Sequence, residues 1–442
     1  MNRLRSSHGG QGRIAATLAL VALLFAPAAA QNGNSAWLSW ARANHYPIAT
    51  VQSSEGDTFD DLQFFKTVLK DRRLVQLGES GHGVAEFNHA KVRLIKFLHQ
   101  QMGFDVIAFE SGLFECFNAD ATVAVHTPVL LMRNCIFGVW HTNEVLPLFE
   151  YIKSTQGTAR PLTLAGFDTQ MSSGLGASYR PAFFANLVRA VDPARATVVE
   201  NTDRDHTTRY YQASQTYPKT AEASLTEFYG GLELFFQEHR GRLTEQFGPA
   251  LPLVAERAAY SMLRFMEQMR AFADRPTDNG PDGGGGIRDF GMANNLTFLA
   301  NDLYPGRKIM VWAHNFHIRH DNPATTSRQP TMGQWIRERF RNELYTIGLY
   351  MDRGTAAQNN RAVYTINPGL VNSMEWVMAN TGAPLLFMDF LHQQRVDGNS
   401  WMFVSTTQRE WGTNPFTMVP RNQYDGVLFI DTVKSPSYLS FQ

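Results

Sequence analysis

The sequence predicts an α/β fold: a mostly parallel central sheet flanked by helices, with a helical insertion covering a cleft. One observation is a short apolar run that ends abruptly in a charged or polar residue. It occurs at Leu74-Val75-Gln76-Leu77-Gly78-Glu79, Val106-Ile107-Ala108-Phe109-Glu110, Leu162-Thr163-Leu164-Ala165-Gly166-Phe167-Asp168 and Ile309-Met310-Val311-Trp312-Ala313-His314. Runs of this length, apolar on both faces, read as buried parallel strands. The other observation is that amphipathic helical stretches separate the runs, and alternation of this kind builds right-handed βαβ units.

In chain order, residues 84–101 place Val84, Phe87, Leu94 and Leu98 on one stripe, with Lys91, Lys96 and Gln100 off it. Residues 289–303 and 332–341 show the same helical pattern, with Asp289 as an expected N-cap. Further strands are expected at 344–350, 384–389 and 426–431. Between Asp168 and Ile309 the chain is far longer than one crossover needs. Helical patterns at 218–240 and 250–273 make residues 170–286 an insertion over the mouth of the sheet. Its end, Asp278-Asn279-Gly280-Pro281-Asp282 followed by Gly283 to Gly286, reads as a flexible joint. No Gly-Lys-Ser/Thr follows, so the run is not a phosphate loop.

The composition is that of a globular protein: 44% hydrophobic, 18% charged, with Lys plus Arg equal to Asp plus Glu at 40 each. That balance gives no footprint for nucleic acid. The first thirty residues read as a signal peptide. Arg3, Arg5 and Arg13 precede an apolar run from Ala15 to Ala26, and Ala28-Ala29-Ala30 provides the small residues for cleavage. The run is too short to span a bilayer, so export to the periplasm or medium is expected, with no lasting membrane insertion. Residues 31–442 then form the functional domain. Cys116 and Cys135 are open to two readings, a disulfide or two buried thiols.

In a parallel α/β sheet, ligands bind beyond the carboxyl ends of the strands. The four run endings bring Glu79 and His82, Glu110, Asp168, and His314 with His317 to one region. Unpaired carboxylates cost several kcal/mol to desolvate, so such a gathering is paired, hydrated or used. His82 lies between Gly81 and Gly83 just before a helix, where glycines allow a tight turn and close approach. It suits a general base, with Glu79 orienting the other ring nitrogen and Glu110 holding a water. His314 suits a donor to a developing oxyanion, with Asn315 and His317 ordering it. Arg288 suits a clamp on a carboxylate or oxyanion. Gly78-Glu79-Ser80-Gly81-His82 misses the nucleophile-elbow spacing by one place, which leaves Ser80 a minor alternative. His82, Glu86 and His89 share a helix face, so a divalent metal is a rival reading.

The same residues resemble the erythromycin esterase family. The resemblance runs through Leu77-Gly78-Glu79-Ser80-Gly81-His82-Gly83, Glu86-Phe87, Lys91-x-Arg93-Leu94, Gly103-Phe104 and Ala108-Phe109-Glu110. It continues through Trp140, Glu144-Val145, Gly166-Phe167-Asp168-x-Gln170, Arg288-Asp289-x-x-Met292-Ala293-x-Asn295, Trp312-Ala313-His314-Asn315-x-His317, Met332-Gly333 and Tyr424-Asp425-Gly426. Val92 departs from the Lys-His-Arg-Leu run of many members. The resemblance implies hydrolysis of a carboxylic ester, in name-giving members the lactone of macrolide antibiotics, a step in antibiotic resistance. It implies His82 as base for a water without a covalent serine intermediate, supported by Glu79, Glu110 and His314. It also implies Lys91, Arg93 and Arg288 along the cleft. No cofactor is expected, with a divalent metal as the minority alternative.

The expectation is therefore an exported ester or lactone hydrolase. Its catalytic residues are His82, Glu79, Glu110 and His314, and its substrate-binding residues are Lys91, Arg93, Asp168, Arg288, Asn315 and His317. Two rivals share the cleft: a metal-dependent hydrolase, and a non-catalytic envelope polysaccharide-associated binding protein.

Overall fold

A computed structural model describes residues 27–213, 215–322 and 330–440. The expected leader, residues 1–30, lies outside them except for its last four, which open a helix, Pro27–Ala43. Among the described residues no helix is long and apolar enough to cross a membrane.

Nine strands form one sheet among the described residues, with a separate two-stranded hairpin. The sheet strands are β1 (Tyr46–Pro47), β2 (Leu74–Leu77), β3 (Phe104–Gly112), β4 (Thr163–Asp168), β5 (Lys308–Trp312), β6 (Leu344–Ala357), β7 (Val363–Ile366), β8 (Leu385–Asp389) and β11 (Gly426–Val433). The hairpin is β9 (Thr406–Glu410) and β10 (Asn414–Met418). Spatial order is β1-β8-β11-β6-β2-β5-β3-β4, with β7 folded back on the end of β6. From β11 to β4 every neighbour is parallel, while β8, β1 and β7 pair antiparallel. The sheet is thus mostly parallel, as the apolar runs imply.

Alternation along each strand divides the core between the two faces. Val75, Leu77, Ile107 and Phe109 pack on one side with Phe87 and Leu94. Leu74, Val106, Ala108 and Val311 pack on the other with Met292 and Leu296. Both sets are buried because helices cover both faces.

Register decides where the chemistry sits. Leu77 pairs with Trp312 and Ile347, Phe109 pairs with Trp312, and Phe109 pairs with Gly166. Leu77, Trp312, Phe109 and Gly166 therefore lie level across four strands, and the residues just beyond them share one edge. The β3–β4 register then shifts between Phe109 and Gly112, a bulge spanning Glu110 and Ser111. Bulges re-aim side chains next to functional sites. A Cβ at Gly166 would lie 2.5 Å from the carbonyl oxygens of both Ser111 and Gly112, so the bulge leaves room only for glycine there.

The insertion is helical, with Arg180–Arg189, Pro193–His206, Lys219–Glu238 and Ala250–Asp274 around a core of their own that includes Phe184, Tyr229, Phe236 and Met266. Two expectations change at its end. Gly284, Gly285 and Gly286 form the first turn of the helix Gly284–Phe298, so the run is structured rather than a joint. The N-cap of that helix is Gly283, and Asp289 lies inside it. Gly286 is packed too closely for any side chain, its Cβ position 2.4 Å from the Gly280 carbonyl oxygen.

Cys116 and Cys135 form a disulfide between the helices Leu113–Ala121 and Pro128–Cys135. Closing a loop of this length removes unfolded-chain entropy worth about 3 kcal/mol. Replacing both cysteines by serine should lower unfolding free energy by about that amount in urea titrations, and reduction of the wild type should do the same.

Candidate active site

The loop between β2 and the helix Ala85–Met102 carries Glu79 and His82, and backbone bonds hold it on several sides. Asn315 N–H donates to Glu79 O at 2.8 Å, Ala357 N–H to Gly83 O at 2.8 Å, and Trp411 N–H to Ser80 O at 2.5 Å. The glycines permit close approach: a Cβ on Gly83 would meet Ala357 O at 2.1 Å, and one on Gly81 would meet the Trp411 ring at 3.1 Å. Ser80 is buried in this loop.

Glu79 is fully buried with both oxygens satisfied. Oε1 accepts from His82 Nδ1 at 2.6 Å and from Trp140 Nε1 at 2.8 Å, and Oε2 accepts from Lys91 Nζ at 2.6 Å. Lys91, expected along the cleft, is instead fully buried beneath it, stacked 4.4 Å over the Trp312 ring. Burial pulls its ammonium down to about 8, against the pull of Glu79 in the other direction. It supplies the counter-charge for Glu79 and does not reach substrate. With Nδ1 engaged, His82 keeps Nε2 open to the cavity.

Arg288 centres a second network. Nη2 donates to Glu110 Oε1 at 2.7 Å and to Asp168 Oδ2 at 2.5 Å, while Nε lies 3.2 Å from both Asp168 oxygens. Glu110 Oε2 accepts the His314 backbone N–H at 2.8 Å. Burial raises the Glu110 carboxyl, but the charges of His317, Arg288 and His82 outweigh it and hold the group well below the usual carboxylate range. His317 Nδ1 is bonded to Asp289 at 2.9 Å and its Nε2 lies 3.3 Å from Glu110. Burial opposes its protonation, yet Asp289 and Glu110 together raise its pKa above the ordinary histidine value. Asp289 also accepts from Met332 N–H at 2.9 Å, so it joins the networks of two helices.

A cavity of about 710 Å³ opens over these groups, within the range of small-molecule sites. His82, Glu110, Arg288, His314 and His317 line it with Gln170, Trp140, Phe316, Arg361, Glu410 and Trp411. Several expected residues do not reach it. Arg93 lies elsewhere and clamps Asp57 and Asp61, with Nε 2.6 Å from Asp57 and Nη2 2.6 Å from Asp61. Asp168 is buried behind Arg288. Asn315 turns its amide to the β6 backbone, donating to Leu349 O at 3.0 Å. Among the described residues of 170–286, Gln170 is the one that lines the cavity. The facing wall comes from the loop after β6 and the β9–β10 hairpin, which supply Arg361, Glu410 and Trp411.

His314 also differs from expectation. Its Nδ1 accepts the Phe316 N–H at 3.1 Å, and its Nε2 is buried 3.7 Å from Glu410. Neither nitrogen opens on the cavity, so its ring packs against His82, centroids 5.0 Å apart, rather than donating to an oxyanion. Burial and the neighbouring His82 push its pKa well below the usual histidine range. Among the described residues no group of three or more His, Cys, Asp or Glu side chains is set to hold a metal. Glu86, once aligned with His82 and His89, accepts the Lys434 N–H at 2.8 Å instead.

Two outcomes follow. Arg288→Met leaves Glu110 and Asp168 without their shared cation, and unfolding free energy should drop by about 3–5 kcal/mol in denaturant titration. Burial pushes the Glu410 carboxyl up to about 7. The folded state keeps that proton where the unfolded chain has released it, so this stabilisation is present in acid and is lost as pH rises through about 7. Between pH 5 and 8 the wild type should lose up to about 3 kcal/mol relative to Glu410→Gln, read from paired thermal melts.

Comparison with known proteins now bears on this geometry. The sequence profile of the erythromycin esterase family matches residues 99–433. A Bacillus subtilis (strain 168) protein named "Putative hydrolase YbfO" is 33% identical over 97% of this chain and 98% of its own. The erythromycin esterase type II of Escherichia coli is 21% identical over 63% of this chain and 68% of its own. A crystal structure of a Bacillus cereus protein superposes with a TM-score of 0.78 at 17% identity, over 92% of this chain and 99% of that one. An erythromycin esterase mutant, EreC in its open conformation, superposes with a TM-score of 0.70 at 16% identity, over 90% and 99%. The profile match and the full-length relative place this chain in the erythromycin esterase family, and with it among the hydrolases.

Proposed function

We propose that the protein is an exported hydrolase of carboxylic esters, with His82 as the general base that activates water. The observation that carries the reading is the His82 ring itself. Glu79 engages Nδ1 at 2.6 Å, and Nε2 is left free toward a solvent-filled cavity beside buried charge. Such a base contributes about 10²–10⁴ in rate.

In the reaction, water oxygen bonds to the ester carbonyl carbon while its proton passes to His82 Nε2. The imidazolium is balanced by Glu79, whose other oxygen stays paired with Lys91. Arg288, paired with Glu110 and Asp168, lines the cavity as the guanidinium beside which the carbonyl oxygen becomes an oxyanion. Collapse breaks the bond from carbon to the alkoxide oxygen, and His82 returns its proton to that oxygen. The products are an acid and an alcohol, joined in one molecule when the substrate is a lactone.

The cavity size, with Trp140, Phe316 and Trp411 beside polar groups, supports a bulky ester such as a macrolide lactone. Family membership supports the same class. The leader pattern and the Cys116–Cys135 disulfide support export to an oxidising compartment.

Purified protein incubated with erythromycin and a panel of esters should add the mass of one water to a substrate. His82→Ala should abolish that turnover while circular dichroism and melting stay near wild type. Full activity in His82→Ala, or activity lost to a chelator and restored by a divalent ion, would overturn the reading. No turnover of any ester would favour binding alone.

A further inference from the structure

The β9–β10 hairpin brings two residues to the cavity that the hydrolytic step above leaves without a role. Trp411 follows β9 at φ 58, in the left-handed region that bulky side chains avoid. Such backbone persists where the surroundings over-determine it, and it gathers at active sites. Here it sets the indole against both histidines, 5.5 Å from the His82 ring and 5.6 Å from that of His314. Its carbonyl accepts from Tyr364 Oη at 2.8 Å, which fixes the turn from the other side.

Glu410 immediately precedes it. Oε2 lies 3.7 Å from His314 Nε2 and Oε1 lies 3.7 Å from Arg319 Nη1. Both carboxyl oxygens and His314 Nε2 are buried without a hydrogen-bond partner. Because His314 Nδ1 accepts the Phe316 N–H, the neutral ring carries its hydrogen on Nε2, on the side of Glu410. Two orphaned polar groups thus face each other across a gap slightly too wide for a bond. Slack in the strand does not explain the gap. The neighbouring Arg409 is anchored through its N–H to Glu375 at 2.7 Å, and through its guanidinium to Asn367 O at 2.6 Å and Asp352 O at 3.0 Å. Buried groups left unmet cost stability, and proteins retain such costs where function uses them.

We propose that Glu410 is a positioning residue for hydrolysis, acting through His314. When substrate fills the cavity, the Glu410 carboxyl closes on His314 and accepts its Nε2–H. That bond fixes the His314 tautomer and holds its ring against His82, which keeps His82 Nε2 aimed at the attacking water. The inference rests on the reading of His82 as the base. Arg319, His317, His82, Tyr350 and Tyr424 are the other ionisable groups around Glu410, and none of them bonds to its carboxyl.

The test compares Glu410→Ala and Glu410→Gln, using the best ester found for the wild type. In Glu410→Ala, kcat should fall roughly 10–100-fold, the usual loss when a histidine's orienting partner is removed. KM should stay within about threefold, because the carboxyl oxygens that are removed are buried rather than presented to substrate. The melting temperature should not fall, since a costly buried group is gone. Glu410→Gln keeps an accepting oxygen and should recover most of kcat. Ring ¹⁵N shifts of His314 should report Nε2–H in the wild type and Glu410→Gln, and a tautomer mixture in Glu410→Ala. Unchanged kcat in Glu410→Ala would overturn the proposal, as would a joint fall in kcat and melting temperature that glutamine does not rescue. Full activity in Glu410→Ala alongside an inactive His82→Ala would sink this proposal alone. An active His82→Ala would sink the base reading and this proposal with it.

Discussion

Every buried carboxylate at the carboxyl edge of this sheet must find a cation or a donor, and the structure is arranged around meeting that demand. Glu79 is met by Lys91, Trp140 and His82. Glu110 and Asp168 share Arg288, and Asp289 is met by His317 and the Met332 N–H. Uncompensated, each would cost several kcal/mol. Compensated, they set the field in which one imidazole keeps a free nitrogen facing a cavity. Glu410 differs from these: Arg319 and His314 lie 3.7 Å from its carboxyl, and neither oxygen is hydrogen-bonded. Its environment pushes it up while that of Glu110 pushes it down, and such divergence within one cavity separates residues by role.

The fold was legible because parallel strands buried on both faces leave an unmistakable apolar signature, and four runs became β2, β3, β4 and β5. Their convergence was legible too, since strands of one parallel sheet must end on one edge. What no local pattern could show was depth. Lys91 lies off the apolar stripe of its helix, where a solvated lysine is the ordinary reading, and it is buried only because Glu79 waits across a long-range contact. Arg93, two residues on, turns instead to Asp57 and Asp61.

The missed part of the site has a physical reason. Thr406-Thr407-Gln408-Arg409-Glu410 has no apolar alternation, so the strand that carries Glu410 has no sequence signal. Trp411 occupies a turn position that favours Gly, Asn or Asp, so its role follows from tertiary constraint rather than propensity. The glycine run misled for a related reason. Neighbouring backbone crowds Gly283 and Gly286 and the Phe272 ring crowds Gly284, so close packing at the start of a helix, not a bend in the chain, favours glycine there.

The Glu79–His82 bond makes the most direct claim about chemistry, because it decides which ring nitrogen faces the cavity. Ring ¹⁵N shifts of His82 in the folded protein, recorded where the ring is neutral, read that choice. The account predicts the hydrogen on Nδ1, donated to Glu79, with Nε2 unprotonated, and loss of that preference in Glu79→Ala. A neutral His82 carrying its hydrogen on Nε2 in the wild type would contradict it.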